Sequence, residues 1–336
     1  MEKILEVKNL YTSFFSHIGE IQAVRGVSFD LYKGEALGIV GESGCGKSVS
    51  MMSILGLIAE NARVKSGEVI FDNKNLVGLP EREMQNIRGK DISMIFQDPM
   101  TSLNPVLTVG DQLTEHLIKH ERLSKSEAMD RAIKMLEMVG IPSPSTRISQ
   151  YPHEFSGGMR QRVMIAISLI CNPKIIIADE PTTALDVTIQ AQIMDLMNSL
   201  KEKLGTSIIL ITHDLGVVAD VCNRINVMYG GTIIEKGSDE DIFYRSRHPY
   251  TWGLMKSIPD HNSDVHEKLV PIEGQPPDLF KPPVGCAFAA RCDYAMKICK
   301  EEMPPLFTIS EGHESACFLN HPDAPKVESP VRKGDK

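Results

Sequence analysis

Residues 41–48 read Gly-Glu-Ser-Gly-Cys-Gly-Lys-Ser, and this G-x-x-x-x-G-K-S spacing constrains the chain more than any other stretch. Ahead of it, Ala36-Leu37-Gly38-Ile39-Val40 is a short apolar run suited to a buried parallel strand. Behind it, Val49, Met51, Met52, Ile54 and Leu55 fall at the spacing of a buried helix. The expected unit is strand, glycine loop, helix. Glycines let successive backbone N–H groups turn inward, and the helix N-terminus adds positive potential, so such a loop holds a polyphosphate. Lys47 would reach the β and γ phosphates and Ser48 would ligate Mg²⁺. Four fixed positions match by chance in roughly one chain in a hundred of this length, and the flanking strand and helix lower that further.

The rest of the composition sets limits. At 336 residues the chain has room for two domains. A net charge of -8 argues against a protein that coats nucleic acid. Met1–Leu10 carries charges throughout, unlike a signal peptide. The longest apolar stretch, Val163–Cys171, stops at Asn172-Pro173, well short of the ~20 residues a membrane span needs. A cytosolic chain, or one docked on a membrane through partners, is expected. Of seven cysteines, Cys286, Cys292, Cys299 and Cys317 cluster late in the sequence. In a reducing compartment such a cluster points to metal before disulfides.

Strands are expected at Ile4–Val7, Val27–Leu31, Gly67–Phe71 and Ile92–Phe96, the last closed by Gln97. Phe14 and Phe15 read as part of a polar turn. Asp98–Pro105 reads as a loop, and 109–139 as a helical run ended by Gly140 and Pro142. Ser156-Gly157-Gly158 opens a helix over Met159–Cys171. Ile175–Ala178 reads as a buried strand ending at Asp179-Glu180. Asp186 caps an amphipathic helix carrying Ile189, Ile193, Leu196, Met197, Leu200 and Leu204, and Gly205 ends it. Ser207–Thr212 is a further strand, closed by His213. Alternating strands and helices imply a doubly wound parallel sheet with ligands at the carboxyl ends of its strands. Gly41, Asp179-Glu180 and His213 all follow such ends. Beyond Gly237 repeated prolines predict little regular structure, and the tail from Asp323 reads as disordered.

Asp179 stands where a carboxylate holding Mg²⁺ through water belongs, and Glu180 would orient or deprotonate the attacking water. Gln97 and His213 carry little alone. The ordered series is the loop at 41–48, Gln97, Ser156-Gly157-Gly158-Met159-Arg160-Gln161, Ile175–Glu180, Ala184-Leu185-Asp186 and His213. It resembles the ABC-transporter ATPases over residues 9–240. Met159 departs from the Gln common there. The resemblance implies an α/β P-loop NTPase core with a parallel sheet, an antiparallel β subdomain and a helical insertion at about 98–165. It also implies catalytic roles for Glu180, His213 and Gln97, with Gln97 a further Mg²⁺ ligand. ATP would contact Phe14, Val24, Gly41, Ser43, Gly44, Cys45, Gly46, Lys47, Ser48 and Val49. Ser156, Gly157, Gly158 and Asp186 would complete the nucleotide contacts, the first three facing the phosphate loop of a second ATPase subunit. Phe14 would stack on adenine, with Tyr11 and Phe15 as weaker candidates.

A narrower resemblance is to the dipeptide/oligopeptide importer ATPases. It is carried by 97–105, by Asp186-Val187-Thr188-Ile189-Gln190, by His248-Pro249-Tyr250-Thr251 and by 285–292 with Cys299 and Pro304-Pro305-Leu306. Ala290 and Asp293 stand where members often have proline. The resemblance implies a nucleotide-binding domain over 1–258 and a Cys-rich extension over 259–336. The partners would be a second, different ATPase subunit, two membrane permeases and, through them, an extracytoplasmic binding protein, with no nucleic acid. The chain would work at the cytoplasmic face of the membrane. A nickel importer ATPase is the alternative, and a soluble non-transport ABC ATPase the weaker one. Cys286, Cys292, Cys299 and Cys317 follow C-x5-C-x6-C-x17-C, which lacks paired C-x2-C knuckles and is wider than ferredoxin spacing. Four thiolates suit either a Cys₄ zinc or a [4Fe–4S] cluster. The wide spacings and the tails of the resembling subunits favour the cluster.

Overall fold

The computed structural model describes residues 2–98, 102–183, 185–257 and 271–330. The expectations at Pro99, Met100, Thr101, Ala184 and Pro259, the 258/259 boundary and the last six residues lie outside these. The strands are β1 (Lys3–Ser16), β2 (Gly19–Tyr32), β3 (Ala36–Val40), β4 (Ala62–Phe71), β5 (Lys74–Asn75), β6 (Ile92–Ile95), β7 (Ile175–Asp179), β8 (Ser207–Thr212), β9 (Arg224–Tyr229), β10 (Thr232–Ser238), β11 (Phe307–Ser310) and β12 (His313–Ser315). The chain forms two units. One comprises Met1–Lys3, Leu31–Glu35 and Gly78–Leu210; the other comprises Ile4–Asp30, Ala36–Val77 and Ile211–Lys336.

In the first unit, β7 lies between β6 and β8, and β6 pairs parallel to it. Every residue of β7 is buried, which explains why Ile175-Ile176-Ile177 is apolar without alternation. The helical insertion is two helices, Val109–Glu121 and Lys125–Met138, rather than one run. Arg122 ends the first with φ 57, and Ser124 opens the second with a reciprocal capping box to Glu127. The helix Gly157–Leu169 starts two residues earlier than the apolar pattern implies, because Ser156 caps it by accepting from the Met159 N–H. Asp186 caps Val187–Leu204 as expected, accepting from the Ile189 N–H at 2.9 Å.

In the second unit β2, β1, β4 and β5 form one sheet, β4 antiparallel to both β1 and β5. Phe14 and Phe15 belong to β1, not to a turn: Phe14 sits opposite Ala62 of β4. The strands there are longer than the sequence signals because neighbouring backbone completes them. A second ladder runs β11, β12, β10, β9, β3. Within it β3 and β9 are parallel, and β9, β10, β12 and β11 follow antiparallel. The fully buried β3 feeds the phosphate loop. Regular structure does not thin out at Gly237: helices Asp239–Tyr244 and Pro249–Lys256 follow, Ser238 capping the first and His248 the second.

The Cys-rich extension is tied into this unit. β12 pairs with β10 through Glu235–Ser315 and Lys236–Glu314. Glu235 is fully buried. Its carboxylate accepts from the N–H groups of Arg247 and His248 and from the Thr251 hydroxyl at 2.6 Å, and His313 Nε2 lies 3.0 Å away. A buried carboxylate needs this many partners to offset its lost hydration.

Candidate active site

The phosphate loop leaves β3 at Gly41 and enters the helix Lys47–Leu55. Gly46 is the helix cap at φ 98, and a Cβ there would stand 2.4 Å from the Ala23 carbonyl oxygen of β2. Only glycine allows both the left-handed turn and that approach. Val24, next to it, is buried. Cys45 is buried as well, its carbonyl accepting from the Gly231 N–H. Burial raises its thiol above the usual range, so it packs rather than reacts. Lys47 is 5% exposed and donates to the carbonyls of Gly41 at 2.6 Å and Glu42 at 3.0 Å. These contacts hold the ammonium inside the curl of the loop. Ser48 and Val49 continue the first turn of that helix. His213, exposed, follows the end of β8 in the same unit.

The carboxylate pair lies in the other unit. Asp179 ends β7 and is 4% exposed. Glu180 follows at φ 46, a conformation non-glycine residues seldom adopt. Its Oε2 accepts from Gln97 Nε2 at 2.8 Å and from the Thr183 hydroxyl at 2.9 Å. The structure brings Gln97 and Glu180 together across 83 residues of sequence, through the amide NH₂ of Gln97 and not the amide oxygen that the sequence reading gave to Mg²⁺ or water. Thr183 is an addition. Its signal is the tight turn at Pro181, closed by the Thr183 N–H to the Glu180 carbonyl at 3.2 Å. A methyl added at Gly158 would meet Ile189 Cγ2 at 3.0 Å, so glycine lets the Ser156-capped helix pack on the Asp186-capped one. A methyl at Gly157 meets nothing within 4 Å. Packing within the chain does not demand glycine there.

Two further residues grip the loop and escaped the sequence reading. Tyr250 accepts from the Glu42 N–H at 2.8 Å, which gives a task to the His248–Thr251 stretch. Arg291 forks onto the Glu42 carboxylate at 2.6 and 2.9 Å. Neither pairing has a sequence signal, because about 200 residues or more separate the partners.

Among the described residues, no group of three or more His, Cys, Asp or Glu side chains is arranged to hold a metal ion. The arrangement therefore supports neither the expected [4Fe–4S] cluster at Cys286, Cys292, Cys299 and Cys317 nor the alternative Cys₄ zinc. Cys286, Cys292, Cys299 and Cys317 nevertheless line one cavity, together with His248 and Phe288. Burial pushes the thiols of Cys292 and Cys317 up to about 11 and about 12, and the neighbouring cysteines add to it. His248 is held neutral by burial, its value lowered to about 3. Its Nδ1 accepts from the Tyr250 N–H, while its buried Nε2 has no partner.

No helix among the described residues is long and apolar enough to cross a membrane. Comparison with known proteins agrees with this geometry. The ABC transporter family matches residues 24–183, and the family described as "Oligopeptide/dipeptide transporter, C-terminal region" matches residues 234–299. The oligopeptide transport ATP-binding protein OppD of Bacillus subtilis (strain 168) is 60% identical over 98% of this chain and 92% of its own. The dipeptide transport ATP-binding protein DppD of the same organism is 56% identical over 100% of this chain and 99% of its own. Among solved structures, the dimeric post-hydrolysis state of the ATP-binding cassette MJ0796, bound to ADP and Pi, aligns with a TM-score of 0.63 at 32% identity. It covers 70% of this chain and 98% of that one. The chain belongs to the ABC transporter family, among its oligopeptide and dipeptide transport ATP-binding proteins.

Proposed function

We propose that this chain is the ATP-hydrolysing subunit of a prokaryotic importer of oligopeptides or dipeptides. The observation that carries this reading is that one chain joins an ABC ATPase region to a peptide-transporter C-terminal region and matches peptide-transport relatives end to end. The same relatives speak against the nickel alternative. In the unit with the phosphate loop, Lys47 meets the phosphates and Ser48 serves magnesium; in the other, Asp179 is the acidic magnesium residue and Glu180, steadied by Gln97 and Thr183, orients the attacking water. Bound magnesium neutralises charge on the phosphates. The open face at Gly157 leaves room for a second ATPase subunit's nucleotide. Closure of that pair around ATP, and release after hydrolysis, supply the two states that transport needs. The two permeases and the external binding protein complete the assembly, with this subunit on the cytoplasmic face. Reconstituted with them in vesicles, the chain is expected to hydrolyse ATP faster when the binding protein carries peptide. Stimulation by nickel and not by peptide would overturn the substrate.

We further propose that Cys286, Cys292, Cys299 and Cys317, which line one cavity with His248, hold a structural [4Fe–4S] cluster. Anaerobically purified protein is expected to be brown, with broad absorbance near 400 nm, as Cys-ligated clusters are. Colourless protein holding one zinc per chain would rule the cluster out.

A further inference from the structure

A carboxylate is an awkward occupant of a loop that must receive a polyanion, yet Glu42 is the second residue of this one. The structure shows how it is handled. The Arg291 side chain is 4% exposed, and its Nη1 and Nη2 donate to the two oxygens of Glu42 at 2.6 and 2.9 Å. This parallel fork is the strongest form of arginine–carboxylate contact. The guanidinium is itself held on every side. Its Nε donates to the Glu273 carbonyl and its Nη2 to the Ile272 carbonyl, and its Nη1 reaches the Tyr229 hydroxyl at 3.2 Å. Its carbon lies 5.8 Å from the Tyr229 ring centre and 5.9 Å from that of Phe288. Arg291 therefore has little freedom to turn elsewhere, and Glu42 is drawn to it. On the backbone side, Tyr250 takes the Glu42 N–H. Tyr250 packs against Tyr229 and Phe288, with ring centres 4.5 and 5.4 Å away. Arg291 precedes Cys292 directly, and Phe288 lines the cysteine cavity.

We propose that Arg291 is a positioning residue for nucleotide binding. From the Cys-rich extension it neutralises the Glu42 carboxylate and steers it away from the seat of the triphosphate, so that affinity for ATP depends on the extension being in place. The proposal rests on nucleotide binding at 41–48. It does not require peptide as the cargo. Losing the guanidinium leaves a carboxylate uncompensated beside the phosphates. A neighbouring unit charge, at screening between bulk water and a protein surface, changes affinity by about tenfold or more.

The test is calorimetric titration of the full chain with a non-hydrolysable ATP analogue. Arg291→Gln is expected to bind about tenfold more weakly, and Glu42→Gln added to it is expected to recover most of that loss. A purely structural role for Arg291, anchoring the 272–273 backbone, predicts no recovery, because Glu42→Gln restores none of those contacts. Equal affinity of Arg291→Gln and the unaltered chain overturns the proposal, as does a double variant as weak as the single one. Should Arg291→Gln not fold, Arg291→Lys keeps the charge but loses the fork. It is expected to show a smaller loss, again relieved by Glu42→Gln, and a loss without relief overturns the proposal. Failure of the unaltered chain to bind the analogue would instead remove the nucleotide site itself.

Discussion

Glu180→Gln is expected to bind ATP and to lose turnover by about 10²–10⁴-fold, the usual effect of removing a positioned base or water-orienting group. The side chain is placed rather than merely present. Its backbone is in the left-handed region, and two donors from separate parts of the fold, Gln97 and Thr183, converge on one carboxylate oxygen. Such strain persists where surrounding structure over-determines it. An amide in its place keeps the shape but puts an NH₂ where an acceptor is needed for at least one of those donors or for the water. Binding contacts at Lys47 and Ser48 are untouched by the change. The variant is therefore expected to accumulate as an ATP-bound dimer, visible by gel filtration with ATP and Mg²⁺. Phosphate release at the unaltered rate would remove Glu180 from this role.

Lys47→Ala attacks the other half of the chemistry. The ammonium is 5% exposed and donates to two carbonyls of its own loop, so the loop itself positions it. Hydrogen bonds to charged groups contribute about 1.5–3 kcal/mol each. Loss of the direct cation is thus expected to weaken binding of a non-hydrolysable analogue by at least about tenfold. The loop also loses its internal donor, and the freed carbonyls of Gly41 and Glu42 face the phosphates unshielded. Unchanged affinity in a calorimetric titration would mean that the loop is not the phosphate seat. The two variants separate binding from chemistry: Lys47→Ala fails at the first, Glu180→Gln at the second.

The loop, its flanking strand and helix, and the Asp186 cap were legible because each rests on local chemistry. Glycine at a left-handed position, apolar runs in buried strands and Asp before a helix all act over a few residues. Strand lengths were under-read because β1 and β4 are completed by each other, and an antiparallel partner rescues polar residues that pattern alone leaves in a turn. That is why the local pattern alone places Phe14 and Phe15 outside a strand. The site's supporting contacts were the least legible. Glu42–Arg291 and Glu42–Tyr250 join residues far apart in sequence, and neither arginine nor tyrosine has a local pattern announcing such a task. Gln97 was readable only through resemblance, since a glutamine past a strand end is ordinary until Glu180 stands beside it. The cysteines were legible as a group, but their spacing could not show that they line one cavity.

The pairing of β12 with β10 makes the final stretch of the chain, beyond about residue 300, a lid on an otherwise adhesive margin. Without residues beyond about 300, β10 would present a row of unmatched N–H and C=O groups, the kind of border that recruits strands from other molecules. The same cut would remove His313 from the buried Glu235, leaving a carboxylate with fewer partners in a dry interior. The two strands that follow are brief, 4 and 3 residues, so the margin passes to β11, a short strand that offers little to an intruder. A shortened variant that keeps every nucleotide residue would thus be prone to clump.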